Sequence, residues 1–263
     1  MNMLNVVSGF NILGLEIKFY GILIALGMLI GIIIAVYNTK YRGLKAEDIY
    51  TMALYVLPLS IVGARLYYVL FSGETFSFWE VFAIWNGGMA IYGGVIGGAL
   101  GIMLFCVIHK KSFLKLADVA CVSLVLGQGI GRIGCYFSSC CYGVEVTNPN
   151  LMWFPFSTMI NGTWHLSTFF YESFFDILIF IGLFFAIKKI KSEGAIMSLY
   201  FICYGIVRCI IEGFRGDSLF LGNSGIRVSQ LLSGILVVVG IILFLFFTLK
   251  TKWKKSKEQS RLE

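Results

Sequence analysis

The chain has 263 residues, 58% of them apolar and only 13% charged, with a mean hydropathy of +0.86 and a net charge of +7. Those proportions exclude a disordered chain or a water-soluble domain. The positive charge is carried mainly by loop patches of the kind that lie against an anionic leaflet, so it does not point to nucleic acid as a partner.

A hydrocarbon core about 30 Å thick takes roughly 20 apolar residues per helix. Stretches of that length occur at approximately 17–37, 50–72, 87–108, 116–137, 167–187, 194–214 and 229–249. The expectation is an all-α, polytopic integral membrane protein with about seven transmembrane helices, one transmembrane domain over 1–250 and a basic tail over 251–263. The first stretch is not read as a cleaved signal peptide, because Met1 to Glu16 has no basic n-region and the apolar run that follows is too long. Pro58, inside the second stretch, predicts a kink.

Before and within the third stretch lies Gly87-Gly88-Met89-Ala90-Ile91-Tyr92-Gly93-Gly94-Val95-Ile96-Gly97-Gly98. Small residues at this density serve close helix packing, or leave backbone open to a ligand, and both readings stand. Basic patches at Lys40, Arg42 and Lys45, at Lys110, Lys111 and Lys115, at Lys188, Lys189 and Lys191, and from Lys250 to Arg261 follow the odd-numbered stretches. By the positive-inside rule this puts the N-terminus outside and the C-terminus in the cytoplasm. Segment 138–166 is then expected to form a small extracytoplasmic cap, amphipathic in character, with Trp153, Phe154, Phe156 and Trp164 at interface depth. No internal repeat and no second, soluble domain is evident.

Arg65, Arg132, Arg208, Arg215 and Arg227 lie outside these patches, in or beside apolar, glycine-rich sequence. An arginine at membrane depth costs at least a few kcal/mol and needs an anionic partner. The fourth stretch ends in Gly127-Gln128-Gly129-Ile130-Gly131-Arg132-Ile133-Gly134-Cys135, where a guanidinium and glycine backbone can converge on one anion. Near the end of the sixth, Arg208, Glu212 and Arg215 share a helical face by their spacing of four and three. That triplet serves either as an ion pair holding helices together or as an anion site. Arg65 is weaker evidence, since pairing with Asp176 or Glu212 alone accounts for it.

Among the cysteines, Cys106, Cys121, Cys203 and Cys209 lie inside apolar stretches and read as packing residues. Cys135, Cys140 and Cys141 cluster at the end of the fourth stretch, where buried packing, a disulfide and a reactive thiol are all open readings. They do not match a zinc site, because no fourth ligand is evident. His109 belongs to a basic patch, and His165 reads as an interface residue.

These blocks resemble, in order and spacing, the bacterial prolipoprotein diacylglyceryl transferases. The likeness runs from about Lys18 to Gln230. It takes in Tyr20-Gly21, Gly63 to Phe71, the Gly-Gly-x-x-Gly-Gly block, Gly131-Arg132-x-Gly134, Tyr142-Gly143, His165 to Ser173, Tyr204 to Asp217 and Arg227-x-x-Gln230. The resemblance implies transfer of the diacylglyceryl group of phosphatidylglycerol to the lipobox cysteine of a preprolipoprotein signal peptide. A thioether forms and glycerol 1-phosphate leaves, in the bacterial cytoplasmic membrane and without cofactor or metal. It further implies that Arg132 and Arg208 clamp the phosphate, that Glu212 and Arg215 orient them, and that Tyr20 and Tyr204 bind the head group. Arg227 contacts phosphate or peptide, and Gly93, Gly94 and Gly143 belong to the substrate-binding signatures. The chain departs from the family pattern where it has Tyr92 in place of a histidine, Cys135 in place of an asparagine and Cys140-Cys141 in place of an acid. Tyr92 then positions substrate while the thiol's own ionisation, or another group, supplies the thiolate; His165 and Glu172 are the other base candidates, with an architectural role the favoured reading for both. A related transferase with a different acceptor, or a lipid-binding or transport protein, is the alternative.

Overall fold

The computed structural model describes residues 9–12, 15–83, 87–216, 225 and 227–260. A hairpin of β1 (Gly9–Ile12) and β2 (Leu15–Lys18) precedes α1 (Phe19–Asn38), and a short 3-10 turn, Thr39–Tyr41, leads on to α2 (Ala46–Phe71). There follow α3 (Phe78–Val81), α4 (Ile91–His109), α5 (Phe113–Phe137), the hairpin β3 (Ser157–Ile160) and β4 (Thr163–Leu166), α6 (Thr168–Lys189), α7 (Ala195–Glu212) and α8 (Val228–Gln259). Among the described residues seven helices are long and apolar enough to cross a membrane. Large apolar side chains such as Leu29, Ile33, Leu54, Val107 and Leu249 stand exposed on them, as a lipid-facing surface requires.

The expected all-α, seven-helix class holds, with two hairpins added. The second replaces part of the expected cap: Asn161 and Gly162 both take left-handed φ (50° and 87°), the conformation a two-residue hairpin turn needs. Pro58 lies inside α2 without ending it. Helix α8 runs ten residues beyond the apolar stretch, to Gln259, because lysine, glutamate and glutamine are good helix formers that nothing interrupts.

The chain forms two compact units, Val36–Ala117 and the remainder. In the first, α2 and α4 pack backbone to backbone. A Cβ on Gly97 would overlap the carbonyl of Leu59, and one on Gly93 the carbonyl of Gly63, so close packing accounts for both. Gly94 is roomier, its nearest neighbours being 3.7 Å from a Cβ. Arg65 corrects the expectation of an acidic partner: it donates to the carbonyls of Val81 (3.0 Å), Gly87 (2.7 Å), Gly88 (3.0 Å) and Glu80 (2.5 Å). Gly87 and Gly88, at φ 81° and 68°, turn the chain so that two of those carbonyls meet the guanidinium. Arg65 is therefore a structural clamp that joins the end of α3 to Gly87 and Gly88. Tyr92 opens α4 with its ring 6.2 Å from that of Tyr67.

In the second unit, helix α5 is the hub. Near its start the buried Asp118 accepts hydrogen bonds from the amides of Gly194 (3.0 Å) and Met197 (2.9 Å), capping α7 from another helix. The Tyr200 hydroxyl donates to Gln128 Oε1 (3.1 Å) and the Ser173 hydroxyl to the Gly129 carbonyl (2.7 Å), tying α7 and α6 to the middle of α5. Gln230 Nε2 donates to the Cys209 carbonyl (3.2 Å) and fixes α8 against α7.

Candidate active site

The last turns of α5 and α7 and the first turns of α6 bring the charged residues together. Glu172 is the centre. It is almost fully buried, accepts Arg132 Nη2 at 2.7 Å on Oε1, and takes Arg208 Nη1 at 3.0 and 3.1 Å on its two oxygens. Arg208 turns its other terminal nitrogen to Glu212, 2.9 Å from Oε2, as an ion contact without hydrogen-bond geometry. Arg215 Nε stands 4.0 Å from the same oxygen, and Arg227 donates to the Glu212 main-chain carbonyl. The spacing of four and three thus does put Arg208, Glu212 and Arg215 on one face.

Accessibility decides which charges a ligand can reach. The two glutamate side chains are 2% exposed, whereas those of Arg132, Arg208 and Arg215 are 17, 13 and 11% exposed. The carboxylates are sealed behind the guanidinium groups. Three arginines against two glutamates give these five side chains an excess of one positive charge. Through Glu172 the triplet belongs to an interhelical ion network, the first of its two readings.

Other site residues named from sequence surround this network. Tyr204 is one turn before Arg208, stacks on Tyr200 with ring centroids 5.5 Å apart, and lies in the field of Glu172, Arg132 and Arg208. Tyr20 packs over Gly134, where a Cβ would come within 2.8 Å of its ring. Gly143 has no room for a side chain among Phe214, Leu166 and Thr168. Its amide donates to the Leu166 carbonyl (2.8 Å), and Gly143 pairs with Arg215 in an antiparallel bridge, which holds the Arg215 backbone. Tyr92, Gly93 and Gly94 belong to the other unit. Asp217 lies outside the described residues.

His165 is committed to structure: Nδ1 faces the Gly143 carbonyl at 3.2 Å and so carries the proton, and Nε2 meets the Thr163 hydroxyl at 2.8 Å. Glu172 takes its place at the centre because Arg132 and Arg208 reach it from other helices, and spacing along the chain says nothing of that. Asp176, one turn further along α6, is fully buried with no hydrogen bond to either carboxylate oxygen.

The three clustered cysteines also meet here. Their sulfurs lie within 4.8 Å of one another, and Arg132 Nη1 donates to Cys141 Sγ at 3.5 Å. The Cys141 thiol is held well below the ordinary thiol range, first by hydrogen bonds from Cys135 and Cys140, then by Arg132 and Arg215. Cys140 is pushed up to about 11: its bond with Cys135 pulls downward, but donation to Cys141, burial and the neighbouring negative sulfur outweigh it. An exposed apolar face of α8 carries Leu231, Ile235 and Val239 and starts at Gln230, one turn from Arg227.

Fold and site together define a polytopic membrane protein that holds a network of arginines and glutamates among its apolar helices. Comparison with known proteins narrows the class. The chain belongs to the prolipoprotein diacylglyceryl transferase family, whose model matches residues 8–246. It is 40% identical to the phosphatidylglycerol–prolipoprotein diacylglyceryl transferase of Clostridium botulinum, over 90% of this chain and 94% of that protein. Proteins of the same name from Clostridium perfringens (38% identity, 94% and 96% covered) and Finegoldia magna (40%, 89% and 92%) are similarly close.

Proposed function

We propose that the protein transfers the diacylglyceryl group of phosphatidylglycerol to the lipobox cysteine thiol of preprolipoproteins in the bacterial cytoplasmic membrane. The observation that carries this is the buried Arg132–Glu172–Arg208–Glu212–Arg215 network with its excess positive charge. Arg132 and Arg208 hold the lipid phosphate, and their charge stabilises the phosphate monoester as it leaves. Glu172 and Glu212 set the separation of the guanidinium groups, and Arg215 completes the clamp. Tyr20 and Tyr204 bind the head group, and Arg227 faces phosphate or incoming peptide. Gly143 acts through the Arg215 backbone that it braces, and Gly94 lines the substrate path, whereas Gly93 is taken up by packing against Gly63. The acyl chains lie against the exposed apolar face of α8. Tyr92 positions the acceptor, and Tyr92→Phe should raise KM for peptide more than it lowers kcat. The basic patches support an orientation with the N-terminus outside.

The test is direct. Purified protein is incubated with phosphatidylglycerol and a lipobox peptide, and the peptide is weighed by mass spectrometry. A diacylglyceryl mass increment on the cysteine is expected. Its absence under conditions where another family member works overturns the proposal.

A further inference from the structure

Transfer to a thiol needs that thiol as a thiolate, and among the described residues both histidines and the acids at the clamp are otherwise engaged. The chain has two histidines. His165 has both ring nitrogens bonded, and His109 stacks on Phe105 with Nδ1 against its carbonyl. Glu172 and Glu212 are sealed in ion contacts, and Asp176 is 0% exposed. What stands beside the clamp instead is a set of three sulfurs.

Cys135 lies in the last turn of α5, and the chain then folds back over it. Ser139 and Cys141 take left-handed φ of 47° and 59°, the Cys140 amide donates to the Cys135 carbonyl (3.1 Å), and Thr168 Oγ1 donates to the Cys141 carbonyl (2.7 Å). All three sulfurs end within 4.8 Å of one another. Tetrahedral zinc with Zn–S bonds of about 2.3 Å holds its sulfurs about 3.8 Å apart, so small side-chain rotations close the set on an ion. Three sequence-close thiols lack the fourth ligand that a closed structural site needs. Three protein ligands and one open position are what a catalytic zinc site has. Three thiolates on a divalent ion carry one net negative charge, which Arg132, 3.5 Å from Cys141 Sγ, accommodates.

We infer that Cys135, Cys140 and Cys141 form a three-thiolate site for a soft divalent cation, zinc above all, whose fourth position takes the acceptor thiol. The inference rests on the transferase reading for the identity of that thiol. A thiol bound to zinc is deprotonated, its proton passing to solvent. Its sulfur lone pair then attacks the glyceryl carbon that carries the phosphoester oxygen. The C–S bond forms, the C–O bond breaks, and the bonding pair leaves on the phosphate held by Arg132 and Arg208. No oxidant or reductant is consumed.

The full-length protein, purified reduced in detergent, is analysed for zinc and separately loaded with cobalt(II). Roughly one ion per chain is expected, with the thiolate-to-metal charge-transfer band and intense visible bands of a tetrahedral cobalt centre. The combined Cys135→Ser, Cys140→Ser and Cys141→Ser variant should lose the ion. A lipobox peptide should shift the cobalt bands and release a proton, and the same peptide with serine for cysteine should do neither. Wild-type protein without stoichiometric metal, cobalt bands unmoved by the cysteine peptide, or a disulfide joining two of the three thiols in protein isolated from membranes overturns the inference. The wild-type measurements decide even if the triple variant does not fold. Diacylglyceryl transfer by metal-free protein would overturn this inference alone, whereas metal binding and peptide-shifted bands without any lipidated product would overturn the transferase reading.

Discussion

Replacing Glu172 by glutamine keeps the shape of the side chain and removes the charge on which two arginines converge. Each guanidinium–carboxylate contact at about 4 Å between charge centres is worth roughly 4 kcal/mol at an effective dielectric of about 20, so two contacts give about 8 kcal/mol gross. Relief from burying the carboxylate returns several kcal/mol, and the net loss should match the ~3–5 kcal/mol of a broken buried pair. For a chain of this size that lowers the unfolding temperature on the order of 10 °C. Thermal unfolding in detergent measures it, with Glu47→Gln, on the exposed first turn of α2, as the control that should not move. The variant also doubles the positive excess of the network, from one charge to two. Phosphatidylglycerol should therefore raise the unfolding temperature of Glu172→Gln more than that of the wild type. A variant that unfolds within about 1 °C of the wild type would refute the assignment of Glu172 as the keystone of the ion network.

Arg208→Lys keeps a charge but cannot span Glu172 and a phosphate at once, so kcat/KM for transfer should fall at least about 100-fold, while the unfolding temperature changes far less than in Glu172→Gln; near-normal turnover in the lipidation assay would count against the clamp. Asp118→Ala leaves the amides of Gly194 and Met197 without their buried acceptor and should cost about 1–3 kcal/mol, read by thermal unfolding and by faster hydrogen exchange at the start of α7. Gly97→Val drives a side chain into the Leu59 carbonyl, and should cost at least about 1–3 kcal/mol or prevent accumulation of folded protein in membranes.

The helices were legible because a membrane span announces itself locally: the apolar runs and the observed helices agree to within a few residues at most ends. The exceptions have physical causes. Helix α8 outran its apolar stretch because hydropathy marks where a helix meets lipid, not where its backbone stops bonding. The β3–β4 hairpin escaped notice although its signal, Asn161-Gly162 between two short β-formers, stood in plain view. At the site, Arg132, Arg208, Glu212 and Arg215 could be found because arginine in apolar sequence is costly and so conspicuous. Glu172 could be named but not weighed, since its importance comes from partners 40 residues before it and 36 after it. Arg65 misled for the complementary reason. A guanidinium can be neutralised by carbonyl dipoles as well as by a carboxylate, and composition does not distinguish the two.

The cap that Asp118 places on α7 has a consequence for ligand binding. Fourteen residues separate Asp118 from Arg132 along α5, about 21 Å of helix. At one end of that length α7 is held by Asp118, and at the other by Glu172 through Arg208. Two fastenings so far apart stop α7 from sliding or turning against α5. The spacing of the two guanidinium groups is thus set when the chain folds, and the entropy of arranging them is spent then. On the proposed reading, a lipid phosphate would meet guanidinium groups whose spacing is already set, and its affinity would be spared the cost of arranging them.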